Sequence, residues 1–349
     1  MVCNEDKHDL SSQDTTVEVS VIIPLHRDSA QFRLNLQHLC GLRNSCRFEV
    51  IVVTDQKTVS ALPGVTVIQT NLSFDSGPGV KRDIGFAAAS GAILAYLDDD
   101  AFPSSDWIDR AVEFFAVHEE FAALGGPGVT PPDSAPLSRL GGAIYESRLG
   151  SGPFRNRFRS VGSDPLEVEE WPAFNCFVRR DALLAVGGWD TAIYGGEDTW
   201  LCERLRGAGY RIAYDPGLVV YHYRRSLLLP HLRQVANVGE RRGSFARLQL
   251  RTSTSPYFYL PVLAVLVVVL GLPLMVVICI DSPDIMLLLF PIAGIAWLVF
   301  AGLWFGRLGI RAALLPIFIV CHHVAYGFAF GKGWFSATAA GDVKSRRVS

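Results

Sequence analysis

The chain has 349 residues and a formal net charge of −2. That length allows one large domain or two medium ones, and so even a balance gives no global field for nucleic acid. Hydrophobic residues make up 50% of the chain, and the excess collects after Thr252. The 7 cysteines are scattered with no Cys-x-x-Cys pair, which points away from a zinc site or disulfide frame and toward a reducing compartment.

Met1 to Thr16 is polar, mixed in charge and without the apolar core of a signal peptide, so it reads as a disordered tail. Val17–Pro24 is short, β-branched and closed by proline, as a buried strand would be. Asp28 to Cys40 has the apolar spacing of a helix, and Glu49–Thr54 and Val65–Ile68 are further strands. Gly77-Pro-Gly79 opens a helix over Val80–Ala89, and Gly91 stops it. Ala92–Leu97 is a strand that runs into Asp98-Asp99-Asp100. Strands that alternate with helices predict a doubly wound, mostly parallel sheet, whose ligands bind at the carboxyl ends of the strands. Asp55 and the triple aspartate both stand at such ends and are expected on one edge.

Three adjacent carboxylates repel one another, and burying one without a partner is costly. A solvated acidic turn is one reading. The other is a divalent cation reached by Asp98 and Asp100 through hard oxygen ligands.

A helix follows Pro103, with Trp107, Ile108, Ala111, Phe114 and Phe115 on one face, and Phe121–Val129 reads as one strand. From Pro131 to Pro165 the pattern weakens into a long loop with Arg139, Arg148, Arg155, Arg157 and Arg159, either a solvated basic loop or a lid. Order returns with a strand over Trp171–Val178 and a short helix over Arg180–Val186. A second helix begins after Gly195-Gly196-Glu197-Asp198. Arg211–Tyr214 and Leu218–Tyr223 are the last strands.

Residues 226–251 mix leucine with arginine and histidine, as a basic amphipathic interfacial helix does. No charge occurs from Thr252 to Ile280, which is long enough to cross a bilayer. Spans are expected over 256–280 and 285–306, with a third candidate over 312–330 and a polar tail over 332–349. Arg241, Arg242, Arg247 and Arg251 before the first span place the N-terminal part in the cytoplasm. A third crossing would put Lys332, Lys344, Arg346 and Arg347 outside, against the charge bias; hydropathy favours that crossing.

Taken in order, several stretches resemble inverting family-2 glycosyltransferases of the GT-A fold, in particular membrane-anchored bacterial enzymes of exopolysaccharide and lipid-linked glycan synthesis. They are Val21-Ile-Ile-Pro24, Val52-Val-Thr-Asp55, Lys81-Arg-Asp-Ile-Gly85, Tyr96-Leu-Asp-Asp-Asp-Ala101, Gly187-Gly-Trp-Asp190, Gly196-Glu-Asp198 and the run from Ala213 through His222. The resemblance covers about Val17 to Arg225. It departs at Pro24-Leu-His-Arg27 and at Gln56, where the family often has a second acid. It implies an α/β GT-A domain over 17–225, followed by the interfacial segment and a transmembrane region over 252–331.

The implied reaction moves a sugar from a nucleoside-diphosphate sugar to an acceptor hydroxyl, with inversion. The implied cofactor is Mn²⁺ or Mg²⁺, held by Asp98 and Asp100, with His222 as a further metal or diphosphate contact. Pro24, Asp55, Lys81, Arg82, Asp98 and Asp99 would border the donor, Asp55 at the base or ribose and the basic pair at phosphate. Asp198, with Glu197 beside it, is the expected general base. Asn175 and Trp189 would line the sugar or acceptor pocket. The basic residues before the first span and from Arg148 to Arg159 suggest a phosphate-bearing acceptor, such as a polyprenyl-linked glycan at the cell's inner membrane. A nucleotidyltransferase and a catalytically inactive membrane scaffold are the alternatives; the first would need a glycine-rich phosphate loop after the opening strand, which is absent.

Overall fold

The computed structural model describes residues 17–56, 62–71, 77–190, 195–281 and 315–336, with isolated positions between 284 and 313. The expected N-terminal tail, most of the second span and the chain beyond 336 lie outside the described residues.

The opening strand β1 (Val19–Leu25) is followed by α1 (Ala30–Cys40), β2 (Phe48–Thr54), β3 (Val65–Gln69), α2 (Pro78–Ala88) and β4 (Ile93–Leu97). Then come β5 (Ala101–Pro103), α3 (Trp107–Val117), β6 (Phe121–Gly125), β7 (Gly128–Val129), α4 (Pro136–Glu146) and α5 (Arg148–Ser151). The chain continues through β8 (Leu166–Val168), β9 (Asn175–Arg179), α6 (Arg180–Ala185), α7 (Glu197–Gly207), β10 (Arg211–Tyr214) and β11 (Val220–His222). Among the described residues three long helices follow: α8 (Leu229–Arg247), α9 (Leu260–Asp281) and α10 (Leu315–Phe335).

By contact, the chain forms two units. One holds the residues up to Pro131 together with Asn156–Tyr223; the other joins Pro132–Arg155 to the chain from Arg224 onward. The first unit carries an eight-stranded sheet in the order β3-β2-β1-β4-β9-β6-β10-β8, and a small sheet in the order β5-β11-β7. Strands β3, β2, β1 and β4 are mutually parallel, while β9 runs antiparallel between β4 and β6.

Alternation along β1 explains the two covered faces. Val19, Val21, Ile23 and Leu25 pack with Phe32, Leu36 and Leu39 of α1 and with Trp107, Ile108 and Phe115 of α3. Ile22, with Leu94 and Tyr96 of β4, faces the opposite layer, built on Leu183 of α6 and Leu201 and Leu205 of α7. This is the doubly wound α/β arrangement expected from the alternating elements.

The register sets the functional edge. Leu25 pairs with Thr54 at the carboxyl ends of β1 and β2, and Ile22 pairs with Tyr96 of the parallel β4. Asp55 and the triple aspartate therefore emerge on one side of the sheet. Helix α2 lies tight under β1 because Gly85 has no side chain; a Cβ there would stand 2.4 Å from Ile22 Cγ2.

Besides the short strands β5 and β8, which were not expected, two stretches differ from expectation. Phe121–Val129 is not one strand, because the chain leaves the large sheet after Gly125 and joins the small one at Gly128. Gly125 and Gly126 permit the change: a Cβ on them would collide with the Trp171 ring and with the Leu218 carbonyl. The stretch from Pro131 to Pro165, expected as an irregular loop, is largely α4, α5 and a 3₁₀ turn over Gly152–Arg157. Its small residues concealed an apolar face, for Leu140, Ala143 and Ile144 pack with Leu227, Leu315 and Ile319.

The described part of the second unit is helical. Its α8 and α10 meet through glycine: a Cβ on Gly243 would stand 2.0 Å from the Phe330 carbonyl oxygen, and one on Gly333 would stand 1.8 Å from that of Glu240. Lys332 pairs with Glu240 at 2.8 Å. The stretch Pro256–Ile278 and the helix α10 are both long and apolar enough to cross a membrane. On α9, Leu263, Val267, Leu270, Val276 and Ile280 are all exposed.

Candidate active site

The site grows from the end of β4. Asp98 accepts a hydrogen bond from Arg82 Nη2 at 3.0 Å. Asp99 Oδ2 accepts from the His26 backbone N–H at 2.8 Å, which ties the acidic turn to the end of β1. Asp100 is exposed, but its Oδ1 lies 2.8 Å from His222 Nε2. The small sheet delivers that histidine: His222 pairs with Ala101 across β5 and β11, and the Tyr223 N–H donates to the Asp100 carbonyl at 3.1 Å. Ligand atoms of Asp98, Asp100 and His222 lie within 4.8 Å of one another. Two carboxylates and one imidazole are a donor set that could hold a divalent cation.

Electrostatics follow from this crowding. Burial pushes the Asp98 carboxyl up, against the pull of Arg82 and with the push of Asp100. Burial takes Asp99 up to about 6, partly offset by the His26 N–H. Clustered acids that resist ionisation are sites where a cation is electrostatically welcome.

Helix α2 supplies the basic pair, and both members are buried. Lys81 Nζ donates to the Leu25 carbonyl at 2.9 Å and pairs with Asp55 Oδ2 at 2.8 Å. Asp55 also accepts a short hydrogen bond from the Thr70 hydroxyl. Arg82 Nη1 reaches Glu197 Oε1 at 2.9 Å while Nη2 reaches Asp98, and its guanidinium lies 4.9 Å from the centre of the Trp189 ring. Pro24 is buried in β1 beside Val53.

The other half of the site is the start of α7. Gly195 and Gly196 have φ of 75° and 85°, a left-handed turn that favours glycine. The turn sets Glu197 and Asp198 in the first helical turn. Glu197 is buried against Arg82. Asp198 Oδ1 accepts from the Thr199 N–H at 2.8 Å. Burial, then the neighbouring charges of Glu197 and Glu170, push the Asp198 carboxyl up.

Two expected pocket residues sit inside the fold. Asn175 is fully buried, accepts from Trp107 Nε1 at 2.8 Å and donates to the Leu218 carbonyl at 2.7 Å. Its amide is spent on joining β9 to α3 and to the turn before β11. Asn175→Ala would leave both partners unsatisfied and is expected to cost about 2–3 kcal/mol; urea unfolding measures this, with activity per folded molecule unchanged. Trp189 is also buried, edge-on to Tyr96 at 4.7 Å and under Arg82. Arg82, expected at phosphate, is held at its two ends by the carboxylates of Asp98 and Glu197.

Several supporting residues went unassigned from sequence. Asp83 accepts from the Trp189 N–H at 2.7 Å, and a Cβ on Gly188 would stand 2.6 Å from the same carboxylate oxygen. Arg204 Nη2 donates to the Gly188 carbonyl at 2.7 Å. Arg157, from the basic stretch, pairs with the buried Glu170 at 2.7 Å. Asp83 beside Lys81-Arg82 and Arg157 in the basic stretch stood in noted motifs; nothing local signals the pairing of Arg157 with Glu170 or the bond of Arg204 to Gly188.

Residues 20–184 match the model of glycosyl transferase family 2. They belong to that family. A pre-mycofactocin glycosyltransferase of Mycobacterium tuberculosis is 30% identical over 244 residues, which are 67% of this chain and 48% of that one. The succinoglycan biosynthesis protein ExoM of Rhizobium meliloti is 26% identical over 181 residues, 49% of this chain and 55% of that one. The chain thus spans about half the length of the curated relatives it matches. A mannosyltransferase from Pyrobaculum calidifontis, solved with GDP-Man and Mn²⁺, superposes with a TM-score of 0.55 at 14% identity, covering 95% of this chain and 91% of that one. That likeness, with the sheet order, gives the family-2 domain a GT-A fold.

Proposed function

We propose that the chain is an inverting glycosyltransferase that moves a sugar from a nucleoside-diphosphate sugar to an acceptor hydroxyl. The observation that carries this reading is the two-part site: Asp98, Asp100 and His222 on one side, Glu197-Asp198 on the other, with Arg82 bonded to both. The names of the relatives, all glycosyltransferases or polysaccharide biosynthesis proteins, support it.

Asp98, Asp100 and His222 would hold a divalent cation, which when bound supplies Lewis-acid stabilisation of the departing diphosphate. His222 orients the exposed Asp100 through their contact. Asp99 fixes the acidic turn against the end of β1, where Pro24 borders the donor. Lys81 holds Asp55 and the Leu25 carbonyl at that same edge, so Asp55 meets the nucleoside already neutralised by its partner. Asp198 takes the proton of the acceptor hydroxyl as that oxygen attacks the anomeric carbon from the face opposite the leaving group. Its raised affinity for a proton makes it a better base than an ordinary carboxylate. Attack from the opposite face inverts the anomeric centre.

The acceptor is read as a membrane-borne glycan. Helix α9 exposes leucine, valine and isoleucine in its described positions, and it is long and apolar enough to cross a membrane. Arg241, Arg247 and Arg251 are exposed just ahead of it and fit the cytoplasmic face of a cell membrane.

The test is a screen of UDP-, GDP- and dTDP-sugars with membranes carrying the protein and lipid-linked acceptors, the product's anomeric configuration being read by NMR. Inversion with Mn²⁺ or Mg²⁺ is expected. A retained configuration would remove Asp198 as base, and absence of transfer from every donor would remove the reading.

A further inference from the structure

Arg82 has an unusual position for a helix arginine. It is buried, with 4% of its side chain exposed, and it is held at three points. One arm of its fork lies 3.0 Å from Asp98, the other 2.9 Å from Glu197, and its guanidinium lies over Trp189 at 4.9 Å. Asp98 belongs to the acid–histidine cluster after β4; Glu197 begins α7 and precedes Asp198. The two acids are 99 positions apart in the chain, and among the described residues only Arg82 is bonded to both. The surroundings brace this geometry. Gly79, one turn before the arginine, lies beside the Glu197 side chain; a Cβ there would stand 3.4 Å from Glu197 Cγ, in van der Waals contact. Asp83, the next residue, holds the Trp189 backbone and so the ring beneath the guanidinium.

We propose that Arg82 is a positioning residue that couples the cation cluster to the start of α7, so that the charge on Glu197 sets how strongly Asp98 can serve a cation. The proposal rests on the glycosyltransferase reading only for the identity of the two halves. Its physical basis is that a planar guanidinium shares one positive charge between two carboxylates in a fixed geometry, which a lysine ammonium cannot reproduce. The Glu197 carboxylate takes part of that charge on the α7 side. With an uncharged amide in its place, the whole guanidinium charge falls to Asp98 and competes with the cation. Glu197 is thereby a positioning residue too, acting through Arg82, while Asp198 alone faces the acceptor.

The test is Mn²⁺ binding, read from loss of the free-ion EPR signal in the full-length protein, alone and with UDP or GDP. Glu197→Gln, which keeps the shape of the side chain, is expected to weaken Mn²⁺ binding roughly 3- to 10-fold. Glu113→Gln, at an exposed carboxylate of α3, is expected to leave it unchanged. In an Arg82→Met background the Glu197→Gln effect should vanish, because the link is gone. Thermal unfolding shows that each variant is folded. Mn²⁺ affinity unchanged in folded Glu197→Gln, or an equal shift with and without Arg82, would overturn the proposal. If Arg82→Met does not fold, the Glu197→Gln comparison decides alone. Mn²⁺ coupling without sugar transfer would defeat the functional reading and leave the Arg82 link standing, so the two failures are distinguishable.

Discussion

Asp198→Asn is expected to fold, to bind donor normally and to lose about a thousandfold in kcat. The amide keeps the shape of the carboxylate and can still accept from the Thr199 N–H, so the start of α7 is preserved. It cannot take a proton, so the acceptor hydroxyl attacks unassisted. The donor sits with the opposite cluster and should show an unchanged KM. Stability should move the other way. The protein holds Asp198 above its ordinary carboxylate pKa, first through burial and then through Glu197 and Glu170. A carboxyl raised on folding binds its proton more tightly in the folded state, so it detracts from stability once pH exceeds both values. Asn removes that cost, and Asp198→Asn should melt above wild type at neutral pH. The same direction governs activity: kcat should fall on the acid side at a pH above the usual carboxylate range. Loss of activity together with a lower melting temperature would mean that the residue is structural.

Asp100→Ala is expected to remove at least about a hundredfold of activity with almost no change in unfolding temperature. Asp100 is exposed, so its removal leaves no buried cavity. What it does remove is one of three atoms gathered within 4.8 Å, together with the carboxylate that faces His222. A divalent cation held by fewer protein ligands binds more weakly, and raised Mn²⁺ should recover part of the activity. Recovery separates this residue from Asp198, whose loss no concentration of metal repairs. Activity that stays near wild type in Asp100→Ala at limiting Mn²⁺ would exclude it from the cluster.

Local pattern made much of this legible. The alternation of Val19, Val21, Ile23 and Leu25 against Ile22 was enough to set β1 between two layers. Placing Asp55 after β2 and Asp98 after β4 was enough to bring them to one edge, because parallel strands share their carboxyl ends. The partners of Arg82 were not legible. An arginine at the start of a helix has the same local signature whether it faces phosphate or a carboxylate 115 residues away. The partners of Asn175 were hidden for a related reason: a polar side chain in a strand carries no local sign of the distant indole of Trp107 and carbonyl of Leu218 that it meets. The break between β6 and β7 was hidden because glycine records only the absence of a side chain, not the neighbour that required it.

The helical unit draws one helix pair, α4 and α5, from the middle of the chain and the rest from beyond Tyr223. On the ribosome this imposes an order. The sheet can close once β11 has emerged, but Leu140, Ala143 and Ile144 must wait, since Leu227, Leu315 and Ile319 are made later. Throughout that interval an apolar face is open to chaperones, to lipid or to another nascent chain. An expression clone cut at Tyr223 to obtain a tractable catalytic fragment would make that interval permanent and should give insoluble protein, although every strand of the sheet is present.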